Sequence, residues 1–108
     1  MELARNVYAL ARVMPKQEEY RLTGQMICAA VSIAANIAEG HARATRRDYA
    51  HFVSIARGSA AELETLVLLA RAAELASEDA TKEILEKTER VSKMLTRLHA
   101  RLRTAPSD

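Results

Sequence analysis

Chemistry in a short chain has to come from a few side chains held at the right spacing, so the polar residues on otherwise apolar stretches come first. Asp48 and His51 stand three positions apart, which on a helix gives one face. That is half of the motif by which helical bundles hold two iron ions, a motif built from two Glu-x-x-His pairs and two further Glu. Glu39 and Glu62 could act as the extra ligands, but a second pair is missing, and His41 and His99 lack ligand-like spacing. No metal and no cofactor is expected.

Ser32, Asn36, Glu39, Ser59 and Glu62 are the other polar residues on or near apolar faces. They form either a catalytic pocket or a structural polar layer that fixes helix register, as a core Asn does in coiled coils. No nucleophile stands with a base as acyl transfer requires. The layer is the reading adopted, and no enzyme activity is expected. Cys28, between Met26, Ile27 and Ala29, reads as a buried, inert thiol.

The cations are gathered in two places. Residues 41–57 carry net +3, from Arg43, Arg46, Arg47 and Arg57 against Asp48. Residues 90–108 carry net +4, and Arg90, Lys93, Arg97 and Arg101 share one helical face at 3-4-4 spacing. Between them, residues 58–89 carry net −5. Arg43, Arg46, Arg47, Arg90, Lys93, Arg97 and Arg101 are therefore candidate contacts for RNA or DNA phosphates. The competing reading assigns them to helix dipoles, acidic neighbours or a second subunit. No aromatic follows Phe52, so the base-stacking that single-strand binders use is missing from the second patch.

These residues need helices to position them, and the sequence predicts four. The first covers Glu2 to Val13, with Leu3, Val7, Leu10 and Met14 in register, and stops before Pro15. The second runs from about Lys16 to Gly40 and is apolar nearly all round, which predicts burial. Gly40 is expected as its left-handed cap or as a point of close packing. The third starts at Thr45, with Asp48 completing a capping box, and ends near Leu75. Gly58 in its middle predicts a close helix crossing. The fourth starts after Ser77 and carries a heptad seam: Ile84, Thr88, Val91, Leu95, Leu98 and Leu102. Residues 1–103 form the bundle and 104–108, with Pro106, a frayed tail.

Short connections force consecutive helices antiparallel, giving an all-α, up-down four-helix bundle. Three Gly and two Pro in 108 residues disfavour a β sandwich and a glycine-looped nucleotide fold. One cysteine suits a reducing cytoplasm. The N-terminus carries no secretory signal, and the apolar run from Met26 to Ala38 is broken by Ser32 and Asn36, so a cytoplasmic protein with no membrane partner is expected. The first helix is roughly 18–20 Å long and the others roughly 36–45 Å. It cannot cover them, so apolar surface should stay open at one end and a homo-oligomer is expected.

The central stretch carries a resemblance. Met14-Pro15, Glu18, Tyr20, Leu22 and Gln25-Met26 lead into Ala29-Ala30-Val31-Ser32-Ile33-Ala34-Ala35-Asn36-Ile37-Ala38-Glu39-Gly40. Arg43, Asp48-Tyr49, Phe52, Ile55-Ala56-Arg57-Gly58-Ser59, Glu62 and Glu64 follow. Together these resemble the bacterial four-helix-bundle family first noticed as reading frames within intervening sequences of 23S ribosomal RNA genes. The likeness spans roughly residues 7–102. It implies a cytoplasmic bundle assembling as a pentameric ring, with no established enzyme activity. A more distant likeness is to the accessory protein of diversity-generating retroelements, which implies a similar barrel that binds nucleic acid and a reverse transcriptase. The chain departs from the family pattern at its start, where the family has a longer first helix with an aromatic pair. The expectation is a non-enzymatic oligomer binding RNA or DNA through its basic patches. The alternative is a scaffold or adaptor for another protein with no nucleic-acid role.

Overall fold

A computed structural model describes residues 2–104, all of them in helices and the turns between them. Helix α1 spans Glu2–Val13, α2 Gly24–His41, α3 Arg46–Ala72 and α4 Glu78–Thr104. Consecutive helices run antiparallel and pack into a rod 48 × 21 × 19 Å. Residues 105–108, most of the expected tail, lie outside the described residues.

Local chemistry sets each boundary. Pro15 follows the end of α1, and the chain enters α2 through a 3₁₀ turn at Lys16–Glu18 and a π turn at Glu19–Thr23. Regular α2 therefore begins at Gly24, later than the expected start near Lys16. Thr45 caps α3 by accepting from the Asp48 amide at 3.2 Å, and Ser77 caps α4 by accepting from the Ala80 amide at 3.1 Å. At the end of α3 the Leu75 amide bonds the Ala70 carbonyl and the Glu74 amide bonds the Arg71 carbonyl, with Glu74 left-handed at φ 60°. That is a Schellman closure with glutamate where glycine is usual. It ends α3 at Ala72, short of the expected Leu75.

The core comes from the stripes read in the sequence. Leu3, Val7, Leu10 and Met14 of α1 are buried against Met26, Ala29, Ala30 and Ile33 of α2, Leu63, Leu66, Val67 and Ala70 of α3, and Ile84 of α4. Beyond the start of α1 the bundle narrows to three helices, where Val53, Ala56 and Leu95 are buried beneath Ile37, Tyr49, Val91, Leu98 and Leu102. This is the end that the short first helix leaves uncovered. Ile37, Tyr49, Val91, Leu98 and Leu102 are half-buried there, and Met94 is 60% exposed. Further apolar side chains face outward from α2 and α3: Val31, Ile55, Leu68 and Leu69, the last 53% exposed. The stretch Arg21–His41 is long and apolar enough, at mean hydropathy 1.2, to cross a bilayer by length and composition. In the bundle its inward stripe packs on α1 and α3.

Three expectations need correction. Cys28 is exposed, because it lies on the outer side of α2 between the inward-facing Met26 and Ala29. Gly58 makes no close crossing, since a β-carbon there would meet nothing within 4 Å. Gly40 does not cap α2, which continues to His41 and ends at Ala42. Its role is close packing: a β-carbon at Gly40 would lie 3.0 Å from Phe52 Cβ and 3.0 Å from Tyr49 Cδ1.

Candidate nucleic-acid interface

The antiparallel order brings the C-terminus of α2, the N-terminus of α3 and the C-terminus of α4 to one end. The two basic clusters of the sequence therefore share that end. At the opposite end, Glu74, Glu78 and Asp79 surround the α3–α4 turn, where the first turn of α4 favours acids.

The basic end is not uniformly available. Arg43 is bonded to Glu39 at 2.6 Å, and its guanidinium lies 4.6 Å from the Phe52 ring centroid. Lys93 pairs with Glu89 at 3.2 Å. Arg47, Arg97 and Arg101 are exposed, and Arg46 is half-buried. Arg90 is also exposed but sits nearer mid-bundle, within electrostatic reach of Glu2. His41 Nδ1 lies 3.4 Å from the Tyr49 hydroxyl, with the rings edge-on.

The structure adds residues that the spacing did not single out. Arg57 Nη1 lies 3.4 Å from His99 Nδ1, across the α3–α4 seam and 42 positions apart in the chain. Arg103 lines the same cleft. Burial, and then the charges of Arg57 and Arg103, push the His99 pKa below its ordinary value. A sequence signal existed, since Arg57 belongs to the basic stretch 41–57 and His99 and Arg103 to the basic stretch 90–108, but only the helix register pairs them.

The expected polar layer is divided. The Ser32 and Ser59 hydroxyls meet at 2.7 Å between α2 and α3, and Asn36 Nδ2 donates to the Ser32 carbonyl at 2.8 Å and to its hydroxyl at 3.0 Å. These three residues are half-buried and satisfy one another. Glu39 and Glu62 are exposed and stand apart from them, because each lies on the outer side of its helix. Among the described residues no three His, Cys, Asp or Glu side chains converge as metal ligands.

Residues 1–97 match the family described as 23S rRNA-intervening sequence protein. The chain belongs to that family. A crystal structure of a protein of unknown function from the S23 ribosomal protein family of Bacteroides thetaiotaomicron, at 1.70 Å resolution, shares the fold at TM-score 0.84 and 24% identity. The superposition covers 91% of this chain and 92% of that one. No curated protein matches the sequence. The likeness establishes the four-helix architecture, and the basic end has to be read from the chain's own residues.

Proposed function

We propose that the protein is a cytoplasmic, non-enzymatic homo-oligomer, a ring of five by family likeness, that contacts RNA or DNA through its basic end. The observation that carries this reading is the convergence of Arg47, Arg57, Arg97, Arg101 and Arg103 on one end of the rod. Repeating that end around a ring would build a continuous cationic rim. Self-association is supported by the outward-facing Val31, Ile55, Leu68 and Leu69, which no other helix of the bundle covers.

Light scattering on untagged protein, with gel shifts on structured RNA and duplex DNA at two salt concentrations, tests both parts. The reading expects an oligomer and binding that weakens steeply with salt, with a slope of about −0.9 per neutralised phosphate on duplex DNA. Salt-insensitive or absent binding overturns the nucleic-acid part. A second reading, a protein scaffold with no nucleic-acid role, draws on the pairing of Arg43 with Glu39 and of Lys93 with Glu89. It expects no change in partner binding when Arg43, Arg46 and Arg47 are replaced with Ala.

A further inference from the structure

Between the first half of α3 and the last turns of α4 lies an open cleft of about 410 Å³, lined by Arg57, Thr96, His99, Ala100, Arg103 and Thr104. Among the described residues no carboxylate lines it. Three cations of this bundle hold acids: Arg43 pairs with Glu39, Lys93 with Glu89, and Lys87 with Glu2 and Glu83. Among the described residues neither Arg57 nor Arg103 has a carboxylate within ion-pair distance.

The tautomer of His99 follows from its neighbour. A guanidinium only donates, so at 3.4 Å His99 Nδ1 must accept and the ring proton sits on Nε2. Protonating His99 loses that hydrogen bond and places a third cation beside two others. The groups facing the imidazole are Arg57 from α3 and Arg103 from its own helix, both positive. The cleft thus holds like charges together, which is unfavourable until an anion enters it. An anion would free Arg57 from His99 and let the imidazole take up a proton and donate from Nδ1. Donors would then arrive from two helices around one centre. A phosphate group, with several acceptor oxygens in tetrahedral directions, meets donors spread in that way. A planar carboxylate is better matched to the fork of a single arginine.

We propose that the Arg57–His99–Arg103 cleft is a phosphate-binding site in which His99 becomes protonated as the phosphate enters. The site deepens the nucleic-acid reading and rests on it for the source of the phosphate, either an internal phosphodiester or a terminal monoester.

The test follows the three imidazoles of the full-length protein by NMR across pH, at constant ionic strength, with and without inorganic phosphate. The proposal expects the His99 midpoint to move up with phosphate while those of His41 and His51 stay in place. Equal movement of all three, or none at His99, overturns it. Arg57→Gln should weaken phosphate binding on the order of tenfold or more, as loss of a charge-assisted hydrogen bond does. Arg57→Lys should recover part of it. Single-stranded RNA with a 5′-phosphate and the same RNA with a 5′-hydroxyl then separate the sources. Both move His99 if a phosphodiester is bound, and the first alone does so if a monoester is. RNA binding that leaves His99 unmoved removes the site and keeps the nucleic-acid reading. Phosphate moving His99 in a protein that binds no RNA or DNA keeps the site and removes that reading.

Discussion

Lys87 on α4 donates to Asn6 Oδ1 on α1 at 2.7 Å, joining residues 81 positions apart. The same ammonium bonds Glu2 and, at 2.8 Å, Glu83. These hydrogen bonds hold the Lys87 pKa above, and the Glu2 carboxyl below, the ordinary value. A 12-residue helix is too short to be stable alone, so α1 depends on its apolar stripe and on this contact at its first turns. Lys87→Met should lower the melting temperature and speed amide exchange in α1 while leaving α2–α3 protected. Uniform loss of protection across all four helices would contradict that local role.

The two helical glycines should respond oppositely to alanine. Gly40→Ala pushes a β-carbon to 3.0 Å from both Phe52 Cβ and Tyr49 Cδ1, and 3.3 Å from the Tyr49 carbonyl oxygen. Overpacking of this kind costs about 1–3 kcal/mol. Gly58→Ala meets nothing within 4 Å and gains up to about 1 kcal/mol of helix propensity. Urea unfolding of both variants checks the signs.

Glu74 occupies the left-handed position of the α3 closure at φ 60°. A non-glycine residue there costs roughly 1–2 kcal/mol in backbone sterics, and glycine removes that cost while giving back part of it as unfolded-chain entropy. Glu74→Gly should therefore stabilise by about 0.5–1 kcal/mol, measured by the same unfolding curves. A destabilised variant would mean that the glutamate side chain contributes more than its backbone strain takes away.

The depressed pKa of His99 ties stability to pH with a definite sign. The folded protein holds His99 neutral more readily than the unfolded chain, whose histidine titrates near 6.5. This contribution is fully present above that pH and is lost as pH falls through the folded value. In phosphate-free buffer, wild type should lose melting temperature more steeply than His99→Gln between pH 7 and pH 5. Parallel curves would show that Arg57 and Arg103 do not act on the imidazole.

Much of this architecture was legible in the sequence because the relevant rules are local. The stripe Leu3-Val7-Leu10-Met14 follows helical period and is buried, and of the α4 seam Ile84, Thr88 and Leu95 are buried while Val91, Leu98 and Leu102 are half-buried. The caps at Thr45 and Ser77 depend on residues three positions apart. What sequence could not supply was helix rotation. A rotation set by α1 and α3 puts Cys28 outside and Ser32 against Ser59, although both belong to the same apolar-looking helix. Gly40 and Gly58 look alike in the chain, but only Gly40 faces an aromatic side chain of the next helix. The pairing of Arg57 with His99 likewise depends on how α3 and α4 align in register.

Leu68 and Leu69 expose 45% and 53% of their surface on the outer side of α3. Single exposed leucines are ordinary, but these are adjacent to each other and to the exposed Ala72, on a side of the helix that nothing in the bundle covers. If copies of the chain shield one another there, a buried charge would be intolerable in the assembly and harmless in the separate bundle. The double variant Leu68→Glu, Leu69→Glu should keep its helical circular dichroism and shift to monomer in light scattering. It should also lose salt-sensitive nucleic-acid binding to the extent that binding depends on a multivalent rim. An unchanged oligomer would place the subunit contact elsewhere, and a wild-type monomer at micromolar concentration would remove the ring altogether.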